Sequence, residues 1–587
     1  MLQCTCFQDD RWVRYSSSDL ISIFCFRLLL NRVFGINTHT QMTTMKLLGF
    51  LSLFVVVSCQ PLQDTGTEDK TFWRKVGSDT LDTILNRKEE TGIAKNVIVF
   101  VGDGMGIPTV TMARIYQGQL NKMPGERNQL TFEKFPFVGF SKTYDASHQV
   151  ADSASTATAI FSGVKTTQAT IGLDTGAKYD DCVADGNAKA KTLGMMTWAQ
   201  ENGKDTGIVT TARITHATPA GTYAHINNRD WECDSAIPTE HSTCVKDIAR
   251  QMVEDAPGKN FKVILGGGRK QLGAESDGET NDTSCKREDG LNLVDTWKKD
   301  KTNAEYVTTA KDLNALDLSK VDYLLGLFAP GHMSYVAEKE ETRPSLKTLT
   351  ETAIKMLRKN SEGYVLMVEG ARIDMAHHDN YAKLALIEAV EFDEAVAAAV
   401  AMTDPTDTLI IVTADHSHAA IMNGYPKRNN EILGLAEDST ALFYETITYS
   451  NGPGYEHHHP TDETVVSSCS PDCSEIEDRA MSSMRDIRNE PDRENDVFYR
   501  HFSGHYRKLA SHGGEDVGVF ALGPKAHLLV GVYEQNYIGT VISYAACMGP
   551  EAHRCKSAPS SSTSLFTHST LGLLIYALLP RIFILNV

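Results

Sequence analysis

Carboxylate and imidazole side chains recur in this sequence at points where an apolar run ends. The clearest case is LIIVTADHSH (409–418), in which apolar and β-branched residues lead directly into Asp415 and His416. One interpretation is structural, because Asp and His often terminate strands. The other is chemical, since oxygen and imidazole ligands without thiolates suit Zn²⁺ or Mg²⁺. The other motifs decide between the two.

Further motifs offer the same ligand types. In VFVGDGMG, glycines surround Asp103 and permit a tight turn around a bound group, so this carboxylate could bridge metals or simply cap a helix. VEGARIDMAHH supplies Glu369, Asp374 and His378, and the last two share a helical face because they are four residues apart. Such a pair can fill two positions of a zinc site, the alternative being a salt-bridged surface turn. SHGGEDV adds His512 before another apolar run.

A candidate nucleophile lies in ADSASTATA, where Ser153 follows Asp152 at the start of a helix-capable stretch. Serine at such a position is commonly just a helix cap. The functional interpretation is a nucleophile that a metal activates, at a helix N-terminus that favours an anionic substrate. No GxSxG turn surrounds Ser153, which argues against the triad of an α/β-hydrolase.

Short, continuous apolar runs must position these side chains. They are KNVIVFVGDGMG, TGIVTTARI, KVILGGG, YVLMVEGARID, DTLIIVTADH and DVGVFALG. Runs that are apolar on both faces suit a buried, mostly parallel sheet, and helix-like segments at 190–202, 345–359 and 380–402 alternate with them. The pattern predicts an α/β three-layer sandwich, with a large, mostly parallel central sheet flanked by helices. In such sheets ligands bind beyond the carboxyl ends of the strands, where the polar residues collect.

One charged, turn-rich segment, from about 424 to 507, interrupts this alternation and is interpreted as an insertion. It contains His457, His458 and His459. Three adjacent histidines cannot all face one ion easily, so the pattern favours a solvated loop over a metal site.

The acidic balance of the chain limits its partners. The 587 residues carry a formal net charge of −18, whereas a nucleic-acid-binding protein normally presents a basic face. The sequence therefore predicts no nucleic-acid-binding role. Phosphate substrates stay compatible, because a local metal cluster can outweigh a distant acidic surface.

Both ends have the composition of processing signals. Residues 45–59 combine a basic start, a short apolar run and small residues, as a secretory signal peptide does, so residues 1–44 would be a doubtful upstream extension. Residues 557–587 begin with small residues and continue through a polar spacer into an apolar tail, as a glycosylphosphatidylinositol (GPI) attachment signal does. Attachment would lie between Ser557 and Ser561, on the extracellular face of the plasma membrane. The mature catalytic domain would be residues 60–556.

Membrane-spanning segments are the alternatives at both ends. A signal anchor is disfavoured because the first apolar run is short for crossing a bilayer. A C-terminal transmembrane helix is disfavoured because Pro580 and Arg581 break the tail and no basic segment follows it.

Cysteine usage agrees with secretion. Cys4, Cys6, Cys25 and Cys59 lie in segments that processing would remove, and the eight that remain suggest disulfides: Cys182, Cys233, Cys244, Cys285, Cys469, Cys473, Cys547 and Cys555. The sequon at Asn281 lies in a polar stretch, as a glycosylated loop would.

Taken in order, the motifs VGDGMG, DSASTATA, HATPAGTYAH, VEGARID, TADHSH and HGGEDV resemble those of the animal alkaline phosphatases. The resemblance covers roughly residues 68–556. It implies hydrolysis of phosphate monoesters through a phosphoserine, with two Zn²⁺ and one Mg²⁺ per chain. It also implies a GPI-anchored homodimer, in which a helix around 68–90 and the insertion, called the crown in this family, contribute to the contact.

The resemblance also implies roles for individual residues. The first zinc would be held by Asp374, His378 and His512. The second would be held by Asp103, Asp415 and His416. Magnesium would be bound by Asp103, Thr218 and Glu369, with His216 nearby. Ser153 would be the nucleophile and Arg229 would bind the phosphate, whereas His377 and His418 are not ligands in the family pattern.

The chain departs from this pattern in several places. Met375 stands where relatives have a His or Lys that helps the phosphate environment, and a thioether donates no hydrogen bond. Ala329 and Arg343 replace carboxylates of the calcium site found in vertebrate members, so calcium is not expected. The family pattern pairs Cys182 with Cys244 and Cys547 with Cys555, which leaves Cys233 with Cys285 and Cys469 with Cys473 as the remaining expected pairs.

Three other functions were weighed. A sulfatase needs Cys or Ser in a Cys/Ser-x-Pro-x-Arg setting, which Ser153 lacks. Phosphodiesterases of the same superfamily usually use Thr and lack the third metal site, whereas Thr218, Glu369 and Arg229 favour a monoesterase. An inactive cell-surface binding protein is disfavoured because the ligands and Ser153 are all present.

Overall fold

The structure, a computed structural model, describes residues 3–8, 11–16, 68–182, 188–274, 284–437, 443–458, 487–489, 493 and 495–556. The signals proposed at 45–59 and 557–587 lie outside this part of the chain, as do Asn281, Cys469, Cys473 and much of the crown. The chain divides into two units, residues 1–79 and residues 80–587. In the first, β1 (Gln3–Gln8) pairs antiparallel with β2 (Arg11–Ser16).

Ten strands form the central sheet of the second unit, in the order β18-β4-β17-β10-β3-β9-β5-β6-β8-β7. In chain order they are β3 (Asn96–Gly102), β4 (Phe137–Lys142), β5 (Asp205–Arg213), β6 (Val263–Gly267), β7 (Ala304–Val307), β8 (Tyr323–Leu327), β9 (Tyr364–Gly370), β10 (Thr408–Ala414), β17 (Val517–Leu522) and β18 (Gly531–Glu534). Only β17 runs against the others, since it is antiparallel to both of its neighbours.

Helices cover both faces of this sheet. The longer ones are α2 (Ile107–Leu120), α3 (Ser153–Ser162), α9 (Leu346–Leu357), α11 (Ala382–Met402) and α13 (Tyr537–Ala545). The helix α1 (Lys70–Leu85) buries none of its residues. The shorter ones are α4 (Met195–Glu201), α5 (Ala217–Ala220), α6 (Ile248–Glu254), α7 (Leu293–Lys299), α8 (Ala310–Ala315), α10 (Arg372–His378), α12 (Gly454–His458) and α14 (Ala552–Lys556). Among the described residues, no helix is both long enough and apolar enough to cross a membrane.

Each central strand contributes to two cores, which is why its run is apolar on both faces. In β3, Ile98 and Phe100 join the core under α9 and α11, whereas Val97 and Val99 join the core under α3 and α13. Alternate residues of a strand point to opposite faces, so a central strand in three layers needs apolar residues throughout. The predicted three-layer α/β sandwich is confirmed.

The six predicted strands are all present, but the sequence analysis missed β4, β7, β8 and β18. Strand β4 has Val138 and Phe140 exposed between buried neighbours, so it alternates instead of forming a continuous apolar run. It lies next to the edge strand β18, where only one face is covered.

Small two-stranded sheets occupy the region around the crown. They pair β11 (Ser417–His418) with β16 (His512–Gly513), β12 (Ala420–Met422) with β15 (Ile447–Tyr449), and β13 (Leu435–Glu437) with β14 (Phe443–Glu445). The expectation of a solvated loop is wrong at His458, which ends α12 and is only 2% exposed. Its ring contacts those of Tyr499 and Phe502, and its Nε2 lies 2.9 Å from the carbonyl oxygen of Arg500.

Candidate metal and active site

Four neighbouring parallel strands, β10, β3, β9 and β5, bring the polar motifs together. Ala414 is paired with Gly102, and Gly102 is paired with Gly370, so strands β10, β3 and β9 end at the same level of the sheet. Asp103 follows β3, Asp415 and His416 follow β10, and α10 follows β9. Carboxyl ends of parallel strands share one edge of a sheet, so residues far apart in sequence meet there.

The first group of possible metal ligands consists of Asp374, His378, His418 and His512. Nε2 of His378 lies 3.1 Å from an Asp374 carboxylate oxygen and 3.3 Å from Nε2 of His512. The sequence analysis placed three of these residues on one zinc ion. The structure brings those three together and adds His418 beside them.

Hydrogen bonds to the outer ring nitrogens separate the two kinds of histidine in this group. Nδ1 of His378 lies 2.6 Å from the carbonyl of Ala510, and Nδ1 of His512 lies 2.9 Å from the carbonyl of Ala151, so each Nδ1 carries the proton and leaves Nε2 free to ligate. Nδ1 of His418 instead accepts from the backbone N–H of Ala419, which puts its proton on Nε2. In that tautomer the protonated Nε2 of His418, 3.4 Å from an Asp374 carboxylate oxygen, has no lone pair for a metal.

His377 is placed differently again. Its Nε2 lies 3.0 Å from the Thr109 hydroxyl and its Nδ1 lies 2.9 Å from the Tyr449 hydroxyl. Both ring nitrogens are therefore occupied inside the core, so this histidine has no nitrogen left for a metal.

The second group consists of Asp103, Asp374 and His416, with Asp415 next to it. Nε2 of His416 is 3.2 Å from a carboxylate oxygen of Asp415 and 3.6 Å from one of Asp103. Its Nδ1 faces the Ser417 carbonyl at 3.0 Å, so its Nε2 lone pair is free. The backbone N–H of Gly104 donates to Asp415 and fixes that carboxylate.

A third group joins Asp103, His216 and Glu369. One oxygen of Glu369 accepts from the Thr210 hydroxyl, and the other has no hydrogen-bond partner. Buried atoms without partners also include Oδ2 of Asp103, Oγ1 of Thr218 and Nδ1 of His216. Buried polar atoms are normally hydrogen-bonded, so these unpaired atoms indicate a site that can bind a cation.

The charge of the site gives the same indication. Asp103, Glu369, Asp374 and Asp415 are all buried within it. Burial and the neighbouring carboxylates raise the pKa of Asp103, and burial raises the pKa of Glu369 to about 7 and that of Asp415 to about 6. Burial also disfavours the charge on Asp374, but His378 and the other histidines hold its pKa well below the ordinary value. Ionising this many buried carboxylates requires bound positive charge, so the donor set fits metal ions.

The side chain of Asp152, not that of Ser153, caps α3. It accepts from the backbone N–H groups of Ala154 and Ser155, at 3.3 and 3.2 Å. This leaves the Ser153 hydroxyl to face the metal ligands, 3.1 Å from Nε2 of His416 and 3.4 Å from a carboxylate oxygen of Asp103. The cap and the candidate nucleophile are therefore adjacent residues with separate tasks.

Arg229 lies beside this serine. Its Nη1 donates to Asp152 at 3.0 Å, and its Nη2 lies 3.3 Å from Nε2 of His216. Although burial alone would raise the pKa of Asp152, Arg229 and three backbone or side-chain donors lower it. A cavity of about 960 Å³ opens over Ser153, Arg229, Asp374, His378 and His512.

A family model described as alkaline phosphatase matches residues 94–548. The chain belongs to the alkaline phosphatase family. It is 45% identical to alkaline phosphatase 4 of Drosophila melanogaster over 507 residues, 82% of each chain. It is 43% identical to the human tissue-nonspecific isozyme over 530 residues, 87% of this chain and 95% of the other.

The fold is similar to that of solved bacterial members. The alkaline phosphatase of the Antarctic bacterium TAB5 aligns with a TM-score of 0.51 at 22% identity, covering 78% of this chain and 99% of that one. Family membership makes this protein a phosphoric monoester hydrolase, and the three groups described above make it a metal-binding one.

Two departures from the family pattern have structural consequences. Met375 lines the cavity, with its sulfur 3.1 Å from Nη1 of Arg372. Arg343 is 6% exposed and forms a two-point ion pair with Glu391, at 2.8 and 2.7 Å, while Glu388 lies 3.7 Å away. A fixed guanidinium therefore faces these carboxylates.

The sequence analysis missed one network beside the cavity. Arg213 makes a two-point ion pair with Glu232, and its Nη1 contacts Nε2 of His332, whose ring meets that of His216 edge to face. Thr215 also donates to Glu232, at 2.6 Å. No motif signals this network, because its members come from three separate segments and are common residue types.

Three disulfides are present among the described residues: Cys182–Cys244, Cys233–Cys285 and Cys547–Cys555. These are the two pairs that the resemblance implied and one of the two left over. The remaining expected pair, Cys469 with Cys473, lies outside the described residues.

Proposed function

We propose that this enzyme hydrolyses phosphate monoesters through a phosphoserine at Ser153, with two zinc ions and one magnesium ion as cofactors. The single observation that carries the proposal is the position of the Ser153 hydroxyl, 3.1 Å from Nε2 of His416 and 3.4 Å from an Asp103 carboxylate oxygen, in a cavity that Arg229 and the ligands of the first group also line. Asp374, His378 and His512 would hold one zinc, and Asp103, Asp415 and His416 the other. Asp103, Thr218 and Glu369 would hold magnesium.

In the first half-reaction the Ser153 oxygen forms a bond to phosphorus and the ester oxygen leaves as an alcohol. Arg229 binds two phosphoryl oxygens through its forked guanidinium, which orients the phosphorus towards Ser153. Asp152 supports this role because its carboxylate holds the guanidinium in place at 3.0 Å. The position of Ser153 at the start of α3 places the anionic phosphoryl group at the positive end of the helix dipole.

In the second half-reaction water attacks the same phosphorus, the Ser153–phosphorus bond breaks, and inorganic phosphate leaves with the serine hydroxyl restored. The metals, when bound, lower the pKa of the attacking hydroxyl groups and stabilise negative charge on the leaving oxygens. A mechanism that uses deprotonated oxygens is faster on the alkaline side of neutrality.

The setting of the enzyme is part of the same proposal. A signal peptide at 45–59 and a GPI signal at 557–587 would place the domain of residues 60–556 on the extracellular face of the plasma membrane, glycosylated at Asn281. The three disulfides agree with an oxidising compartment. A homodimer using α1 and the crown is supported by the exposure of α1, which buries none of its residues. Release of activity from intact cells by a phosphatidylinositol-specific phospholipase tests the anchor.

The decisive experiment compares an aryl phosphate monoester with an aryl phosphodiester, using purified enzyme supplied with zinc and magnesium, across roughly pH 6 to 11. A large preference for the monoester that grows with pH is expected. Dominant diesterase activity would assign the protein to a neighbouring family. No turnover of either ester would contradict catalysis altogether.

A further inference from the structure

The active-site cavity is larger than its reacting group requires. Its volume of about 960 Å³ lies at the upper end of the range for pockets that hold drug-sized ligands, whereas the phosphoryl group occupies only the floor around Ser153 and Arg229. The outer wall therefore faces the part of the substrate that departs as the alcohol.

One segment of that wall carries side chains that are suited to ligand binding. Thr175, Ala177, Lys178 and Tyr179 all line the cavity. Tyr179 is 50% exposed, so one part of its ring is available to a ligand. Lys178 is exposed and, within the part of the chain that the structure describes, makes no ion pair.

This segment is fixed rigidly to the phosphate-binding arginine. The Asn227 side chain donates to the carbonyls of Lys178 and Asp181, at 2.8 and 3.2 Å, and the Asn228 side chain donates to the Asp180 carboxylate at 3.1 Å. Asn227 and Asn228 immediately precede Arg229 in the chain. The distance from the reacting phosphorus to the outer wall is therefore set by a single hydrogen-bonded unit.

The backbone conformation shows the same constraint. Asp180 has φ +55° and Ala169 has φ +61°, in the left-handed region that disfavours residues other than Gly. Ala169 accepts from the backbone N–H of Arg229 and donates to Asp152, which holds it there. Strained residues that their surroundings hold in place cluster at ligand sites.

We propose that Lys178 and Tyr179 form a leaving-group site, which selects phosphate monoesters whose leaving group is a flat ring carrying a further negative charge. The inference rests on the proposed function and specifies its substrate class. The Tyr179 ring offers a stacking surface, and the Lys178 ammonium attracts the additional anion. Asp230 also lines the cavity, and its negative charge disfavours binding of the additional anion on that side of the cavity.

The phenol of Tyr179 keeps its proton under alkaline conditions. Burial, with the nearby carboxylates of Asp180 and Asp230, raises its pKa above the ordinary value of 10.0. The ring therefore stays neutral where the enzyme is expected to be active, and does not repel an anionic leaving group.

Three esters separate the contributions: ethyl phosphate has neither feature, phenyl phosphate has the ring, and 4-carboxyphenyl phosphate has the ring and the charge. Lys178→Met is expected to lower the ratio of kcat/KM for the carboxyphenyl ester to that for the phenyl ester about two- to fivefold. Tyr179→Ala is expected to lower the phenyl-to-ethyl ratio about two- to tenfold, whereas Tyr179→Phe, which retains the ring, keeps it. Ratios within one variant cancel any loss of folded enzyme.

Lys347→Met is the matched control, because Lys347 is exposed and lies outside the cavity lining. Both ratios should stay at the wild-type value in this variant. Unchanged ratios in both Lys178→Met and Tyr179→Ala would overturn the leaving-group site while the proposed function stands. Failure of wild-type enzyme to hydrolyse any of the three esters would overturn the proposed function and this inference with it.

Discussion

The hydroxyl oxygen of Ser153 lies 3.1 Å from Nε2 of His416, although 263 residues separate the two in the chain. Ser153 begins α3 and His416 follows β10, so the contact exists only because the helix packs against the carboxyl end of the sheet. The His416 lone pair and the serine hydroxyl point to the same space, where a metal bound by His416 would contact the nucleophile.

Replacing the nucleophile should abolish turnover while the metal site remains. For Ser153→Ala we expect kcat for an aryl phosphate to fall by roughly 10³-fold or more, because the hydroxyl that faces His416 and Asp103 is removed. Zinc content, measured by elemental analysis, should equal that of wild type. A variant that retains most of its activity, or wild-type enzyme that yields no phosphopeptide containing Ser153 after acid quenching, would contradict the phosphoserine.

Arg229 should control phosphate affinity. Removing its two charge-assisted hydrogen bonds in Arg229→Ala should raise the inhibition constant of inorganic phosphate about 10- to 100-fold. The inhibition constant of Arg229→Lys should lie between those of wild type and Arg229→Ala, since a single ammonium cannot make the forked contact. Steady-state inhibition at fixed pH measures both, and equal constants in all three enzymes would assign phosphate binding elsewhere.

Met375 offers a test of the cavity wall. Met375→Lys places an ammonium beside the guanidinium of Arg372, and inhibition by phosphate should tighten about three- to tenfold. Met375→Leu, which adds no donor, serves as the control and should leave the inhibition constant near the wild-type value. Weaker phosphate binding in the lysine variant would show that position 375 does not face the anion.

The buried pair of Arg343 and Glu391 should be costly to break. Arg343→Met leaves Glu391 and Glu388 buried without their guanidinium, and we expect the free energy of unfolding to fall by about 3–5 kcal/mol. The double variant Arg343→Met/Glu391→Leu should recover part of that loss, because an apolar contact replaces a stranded charge. Denaturant unfolding of wild type, Arg343→Met, Glu391→Leu and the double variant measures the coupling free energy of the pair, and strict additivity would show that this coupling is zero.

Glu445 should make stability depend on acid pH. Burial disfavours its charge, but His501, 3.5 Å away, and the backbone N–H of Phe502 lower its pKa to about 2 from the ordinary 4.5. Because the pKa is lowered, the charged form of Glu445 stabilises the fold above about pH 4.5, and this stabilisation is lost as the pH falls towards 2. Wild type should therefore exceed Glu445→Gln in Tm by about 2–4 °C at pH 6, with the gap closing on acidification. A gap that does not change with pH would contradict the ion pair.

Much of the site could be predicted from the sequence, because its ligands follow apolar strands in short motifs. Asp103, Asp374, Asp415 and His416 each stand directly after a strand or at the start of the next turn, so one-dimensional order was enough to select them. Strand β4 and the Arg213–Glu232–His332 network were missed, since neither an alternating edge strand nor three dispersed polar residues leave a local pattern.

The α/β class, the candidate ligand types and Ser153 as the candidate nucleophile could be predicted from the sequence alone, since continuous apolar runs and motif composition are local properties. Which groups share a site, and which histidine nitrogens are free, depends on the tertiary structure. Asp152, not Ser153, caps α3, and His418 carries its proton on Nε2, whereas His378 and His512 carry theirs on Nδ1 and keep an Nε2 lone pair. These distinctions depend on hydrogen bonds to distant backbone atoms, and packing alone fixes such partners.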